Sequence, residues 1–144
     1  MTTETDRKTG TDHPARVAAF ASQAAVRARD KDAWVALFAA DGIVEDPVGP
    51  SFFDPDGEGH RGTEAIAAFW DKAIAMTDLI EFLFDDSFAC GSEVAFTGRI
   101  RSTVGGNVID AEGVFTYKVD ADGKILALRA FWETERAMAT AKPA

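Results

Sequence analysis

Apolar positions follow a helical period before Met76 and a period of two after it. From Pro14 to Arg29 an alanine-rich run without internal Gly or Pro predicts a helix, with Val17, Phe20, Ala21, Ala24 and Ala25 near its apolar stripe. Asp30 or Asp32 can cap a second, shorter helix, Ala33–Ala40, where Trp34, Leu37 and Phe38 repeat at helical spacing and Asp41–Gly42 stops the run. A short strand, Ile43–Asp46, follows, and then a loop, SFFDPDGEGHRG, dense in turn formers. Thr63 is the expected N-cap of a third helix, whose Ile66, Phe69, Trp70, Ala73 and Ile74 fall at i, i+3, i+4, i+7 and i+8.

Beyond Met76 the alternation is strand-like. Ile80, Phe82, Phe84 and Phe88 alternate with Glu81, Asp85 and Ser87, and Val94, Phe96, Gly98 and Ile100 alternate with Ala95, Thr97, Arg99 and Arg101. Gly105–Gly106–Asn107 reverses the chain into Ile109–Val119, and Asp120–Ala121–Asp122–Gly123 leads to a last strand, Ile125–Thr134. Strands at meander spacing, preceded by helices that need a surface to cover, predict an α+β domain with an antiparallel sheet and helices on one face. The expected organisation is an N-terminal tail, 1–13, a single domain, 14–135, and a C-terminal tail, 136–144.

Composition narrows the function. With 144 residues the chain fits one domain with a substantial core. Fifteen basic against 24 acidic residues give a net charge of −9, which argues against nucleic acid or an anionic membrane as partner. The one cysteine, Cys90, cannot form an intramolecular disulfide and reads as a small buried residue. The first residues, MTTETDRKTGTD, lack a signal-peptide core, and no apolar run approaches the ~18 residues of a membrane span, so a cytoplasmic protein is expected.

Candidate chemistry centres on VEDPVGPS, residues 44–51, where an apolar run ends in two carboxylates and a proline. Alternation puts Val44 and Asp46 on one face and Ile43 and Glu45 on the other, so periodicity leaves both acids open. Pro47 holds Asp46 extended and ends the strand. The loop that follows places Asp54, Asp56 and Glu58 at alternating positions but lacks the other ligands of a calcium loop, so no metal or cofactor is expected. Phe52 and Phe53 read as rim residues, and His60 as a surface loop histidine.

Four stretches, LFAADGIVEDPVG at 37–49, GTEAIAAFWDKA at 62–73, YKVDADGKI at 117–125 and AFWE at 130–133, together with the order of elements, resemble the nuclear transport factor 2-like superfamily, and within it the ketosteroid isomerases. The resemblance covers the chain from about Pro14 to Glu135. It implies a cone-shaped fold, a curved antiparallel sheet wrapped around three N-terminal helices, with a deep apolar pocket and commonly a homodimer. The family's general base is the aspartate directly before this proline, which assigns that role to Asp46 and leaves Glu45 solvated. The implied activity is a double-bond shift in a steroid or similar polycyclic ketone. A non-catalytic small-molecule binding protein and a SnoaL-like polyketide cyclase are alternatives on the same fold.

The family's oxyanion donors do not carry over. Ser22 stands where it has a tyrosine, and Phe115 where it has a protonated aspartate. Tyr117, on the same strand face as Phe115, and Ser22, on the first helix, are the substitute donors, with the indoles of Trp70 and Trp132 as further candidates. Phe38, Phe69, Trp70, Phe96, Phe115 and Trp132 match positions that line or flank the family's cavity. An aromatic surround of this kind suits a flat apolar ligand.

Overall fold

A computed structural model describes residues 12–144. The first helix, α1, spans Pro14–Arg27. Proline suits its first turn, and the His13 side chain caps it by accepting from Ala15 N. Of the expected N-terminal tail, residues 1–11 lie outside the described residues. The buried residues of α1 are Ala15, Arg16, Ala18, Ala19, Ser22, Gln23, Ala25 and Val26; of the expected stripe Ala25 is among them, whereas Val17 is 51% exposed. Small residues allow close approach to the sheet, and three polar residues, Arg16, Ser22 and Gln23, are buried with them. An apolar template therefore misplaces the buried face.

Helix α2, Lys31–Ala36, is capped by the Asp30 carboxylate, which accepts from Ala33 N at 3.1 Å. It ends earlier than expected because strand β1 already begins at Phe38 and runs to Glu45. Phe38 is paired with Ile125, and the register shifts between Phe38 and Ile43 in an irregularity of the strand. Strand β2, His60–Arg61, pairs with β1, and helix α3, Gly62–Phe69, continues into a π-helical turn, Trp70–Ile74, closed by Ala75 N donating to Trp70 O at 2.8 Å. Its inward positions Ile66, Phe69, Trp70 and Ile74 are buried as the spacing predicts. Arg61, not Thr63, occupies the cap position of α3.

Four long strands follow: β3, Leu79–Cys90; β4, Glu93–Val104; β5, Asn107–Val119; and β6, Ile125–Trp132. They form the expected antiparallel meander. The whole sheet runs β2-β1-β6-β5-β4-β3, and its β1–β6 pair is parallel. The β3–β4 register shifts between Phe84 and Asp86, opposite Gly98. Gly98 has φ +133, and a Cβ there would lie 2.5 Å from Leu83 O, so only glycine lets β3 bend across it. This is the α+β architecture read from the sequence, a curved, unclosed sheet with the helices on its concave face.

The expected C-terminal tail, 136–144, is instead built into the fold. Helix α4, Thr134–Met138, buries Ala137, and a short strand β7, Lys142–Pro143, pairs with β5. Thr140 Oγ1 accepts from Asp110 N at 2.8 Å, a tertiary bond that terminal position in the sequence does not disclose. Cys90 is exposed at the β3–β4 turn rather than buried. Among the described residues no helix is long and apolar enough to cross a membrane.

Candidate active site

The inner face of β3–β6 and the facing sides of α1, α2 and α3 enclose a cavity of about 390 Å³. Alternation supplies its floor: Ile80 and Phe82 from β3, Ile100 and Ser102 from β4, Phe115 and Tyr117 from β5, Leu128 and Trp132 from β6. The helical side adds Ser22, Val26, Trp34 and Phe69. Phe52, 94% exposed, stands at the rim beside Phe53, which packs edge-on against Phe69. Thr134, Ala137 and Met138 of α4 complete the wall, so the segment expected to be a tail borders the cavity.

Asp46 follows the last residue of β1, where the strand leaves β6 after the Glu45–Arg129 pairing. Glu45 points to the other face, where its carboxylate receives Arg129 Nε at 2.9 Å; it is an ion-paired, largely covered residue rather than a solvated one. Asp46 opens into the cavity, and Trp132 Nε1 donates to its Oδ1 at 2.6 Å. Burial pushes the Asp46 pKa above its ordinary 3.8, and the Trp132 hydrogen bond opposes that shift. Oδ2 has no hydrogen-bond partner among the described residues. A carboxylate held this way, in apolar surroundings with one oxygen free, can take a proton from a bound molecule and return it.

The two substitute donors lie together. Ser22 and Tyr117 both line the cavity and are buried, at 2% and 3% exposure. Burial pushes the Tyr117 phenol up to about 12; the Gln23 and Ser22 side chains hold it back, and the Asp46 charge raises it. Ser22 Oγ accepts from Trp34 Nε1 at 3.0 Å. An indole N–H only donates, so this bond leaves the Ser22 proton available for another acceptor.

The six aromatics expected around the cavity divide. Phe69, Phe115 and Trp132 line it. Phe38 and Trp70 are buried behind Trp34, in ring contact with it at 4.8 and 5.5 Å, and belong to the core. Phe96 lines a separate cleft between α1 and β3, with Phe20 and Gln23. Of the two indoles offered as donors, that of Trp132 is engaged by Asp46 and that of Trp70 lies outside the cavity lining. His60 is 9% exposed and tilted on the Phe69 ring at 4.8 Å, with its pKa lowered chiefly by burial. In the loop before it, Asp54 Oδ2 accepts from Gly59 N at 2.7 Å and Oδ1 from Glu58 N at 3.3 Å, so this acid organises the turn.

Sequence reasoning missed Trp34 and Gln23 as neighbours of the donors. Trp34 read as an apolar helix residue, and no local pattern joins positions 22 and 34. Gln23 lies beside Ser22 on α1, and the one available signal was a pair of polar residues inside an alanine-rich helix.

Comparison with known proteins is consistent across sequence and structure. The SnoaL-like domain family matches residues 17–137. The steroid Delta-isomerase of Nocardioides simplex is 32% identical over 97 residues, which span 67% of this chain and 72% of that protein. The crystal structure of Delta 5-3-ketosteroid isomerase from Mycobacterium sp. superposes with a TM-score of 0.81 at 34% identity, covering 92% of this chain and 99% of that one. RV0760c from Mycobacterium tuberculosis, in complex with estradiol-17beta-hemisuccinate, gives a TM-score of 0.80 at 35% identity, covering 85% and 96%. The chain is a ketosteroid isomerase-like member of the SnoaL-like family, with the nuclear transport factor 2-like fold.

Proposed function

We propose that the protein binds a steroid or similar polycyclic ketone in this cavity and shifts a double bond by intramolecular proton transfer, with Asp46 as general base. The observation that carries the reading is Asp46 itself, a carboxylate in an aromatic cavity, tied to Trp132 at 2.6 Å, with its pKa raised by burial. Asp46 takes the proton on the carbon between ketone and double bond. The electron pair left behind spreads into a dienolate, and the new carboxylic acid delivers the proton two carbons further along. One group acts as base and then as acid, so a pKa above the ordinary aspartate value serves both steps.

The dienolate oxygen requires a donor in a water-poor site. Tyr117 is assigned that role, with Ser22 beside it. The ligand's flat rings lie against Phe69, Phe115 and Trp132. The family relationship to a steroid Delta-isomerase and to a protein bound to a steroid ester supports this ligand class.

One observation favours a second reading, a binding protein with weak or lost chemistry. Phe115 fills the position of the family's acidic donor, and the remaining phenol is a poorer acid than usual, at about 12. In either case the protein is taken as a homodimer in the cytoplasm. The outward pair Val114 and Phe131, opposite each other across β5 and β6, is 38% and 43% exposed and suits a covered sheet face.

Incubation with 5-androstene-3,17-dione, following the conjugated enone product while steroid binding is measured separately, tests the proposal. Turnover supports the isomerase. Tight binding without turnover supports the binding protein and excludes the isomerase.

A further inference from the structure

We infer that the substrate carries an extended aliphatic side chain on the ring remote from its ketone, held in the outer half of the cavity between the β4–β5 hairpin and α4. The inference rests on the proposed steroid reading for the orientation of the ligand, and it narrows that reading to a class of substrate.

The inward residues Tyr117, Phe115, Ala111 and Ile109 of β5 all line one cavity. Ile109 and Tyr117 are eight residues apart, about 26 Å of strand. The reacting groups sit at one end of that length. Glu45 pairs with Arg129 and Val48 N donates to Ala130 O at 2.9 Å, so Asp46 enters level with Ala130, whose cross-strand partner is Phe115. Tyr117 lies one inward position deeper. A steroid nucleus, built of fused rings with ~1.5 Å bonds, spans about 10 Å from its ketone oxygen to the far ring. With the ketone at Tyr117, the nucleus therefore leaves on the order of 10 Å of cavity beyond it, toward Ile109.

That remainder is walled and apolar. Val104 and Ile109 stand on the sheet side, with Ala137 and Met138 of α4 and Met76 also lining the cavity. None of the lining residues of β4, β5 or α4 is charged. The Thr77 hydroxyl, also in the lining, already donates to Ile74 O at 2.6 Å. Val104, Ile109 and Ala111 are half-buried, whereas Phe115 and Tyr117 are fully covered, so the uncovered apolar surface lies in the outer half. Met76 and Met138 are 67% and 60% exposed, which makes this the open end, through which the ligand enters ketone first. Unbranched methionine side chains adapt to a flexible aliphatic chain better than rigid aromatic walls do.

The test compares 4-cholesten-3-one with 4-androsten-3-one, which share the nucleus and differ only in the aliphatic chain on the far ring. Affinities of the full chain are measured by equilibrium dialysis of the radiolabelled steroids, with cyclodextrin as carrier and its own affinity for each determined separately. Burial of the added methylenes is expected to make 4-cholesten-3-one bind about tenfold or more tightly. Ile109→Trp narrows the outer half from the sheet and Met138→Trp from the exposed side of α4. Each is expected to weaken 4-cholesten-3-one about tenfold more than 4-androsten-3-one, with near-UV circular dichroism establishing the fold. Equal affinity of the wild-type chain for the two steroids, or tighter binding of 4-androsten-3-one, overturns the inference without any variant. A preference that survives in a folded variant overturns it as well. If neither steroid binds, the steroid reading falls and the inference falls with it. If the preference holds and no turnover is seen, the inference stands and only the isomerase proposal fails.

Discussion

Trp132→Phe removes the 2.6 Å hydrogen bond to Asp46 while keeping a ring in the cavity wall. That bond stabilises the carboxylate and opposes the upward shift caused by burial, so its loss must raise the Asp46 pKa further. A hydrogen bond to a charged group contributes about 1.5–3 kcal/mol, and one pKa unit corresponds to about 1.4 kcal/mol, so the rise is roughly 1–2 units. The assay is the pH profile of kcat/KM for 5-androstene-3,17-dione, whose acid limb reports the base in the free enzyme. In Trp132→Phe that limb is expected to move to higher pH by the same roughly 1–2 units. Activity on the acid side of the profile therefore falls more than activity at alkaline pH. A folded variant whose acid limb is unmoved, or moves to lower pH, would refute the role given to the Trp132 indole.

Three further outcomes follow from the same geometry. A native pKa above 3.8 means that folded Asp46 holds a proton the unfolded chain releases, so this group's contribution is fully present below that pH and lost as pH rises through the native value. Asp46→Asn cannot ionise and should melt at a higher temperature than wild type at pH 7, with the gain vanishing below about pH 3.8 in thermal melts; an equal or lower Tm at pH 7 would contradict the raised pKa. Tyr117→Phe should lower kcat by about 10²-fold with little change in steroid affinity, measured by steady-state kinetics and equilibrium titration; wild-type kcat would remove Tyr117 from the mechanism. Phe131→Asp, on the exposed sheet face, should leave the fold intact and shift sedimentation from dimer to monomer, whereas unchanged dimer would place the interface elsewhere.

Much of the fold was legible because its strands bury alternate residues. Phe96, Phe115 and Tyr117 are inside because a period of two puts them there, and the two hairpin signals fix the meander. The helices were read less well. The inward face of α1 carries Ser22 and Gln23, whose polarity conceals their burial. Phe38 begins β1 rather than extending α2, because its partner is Ile125, a contact no local spacing discloses. The site divides in the same way. Asp46 could be singled out from the residues before Pro47 by resemblance, but its bond to Trp132 crosses 86 positions. The Trp34–Ser22 bond crosses 12 and requires two helices to pack before it exists. Tertiary hydrogen bonds of this kind decide which indole supports the base and which indole holds the Ser22 hydroxyl.

The most direct test of the central claim, that Asp46 carries the proton, is kcat for Asp46→Asn beside wild type, with steroid affinity measured on both. Asparagine preserves the shape of the site and an oxygen for Trp132 but cannot serve as the base. A fall of about 10²–10⁴-fold in kcat, with affinity within a few-fold of wild type, is the expected result. Equal turnover by the two proteins would contradict it.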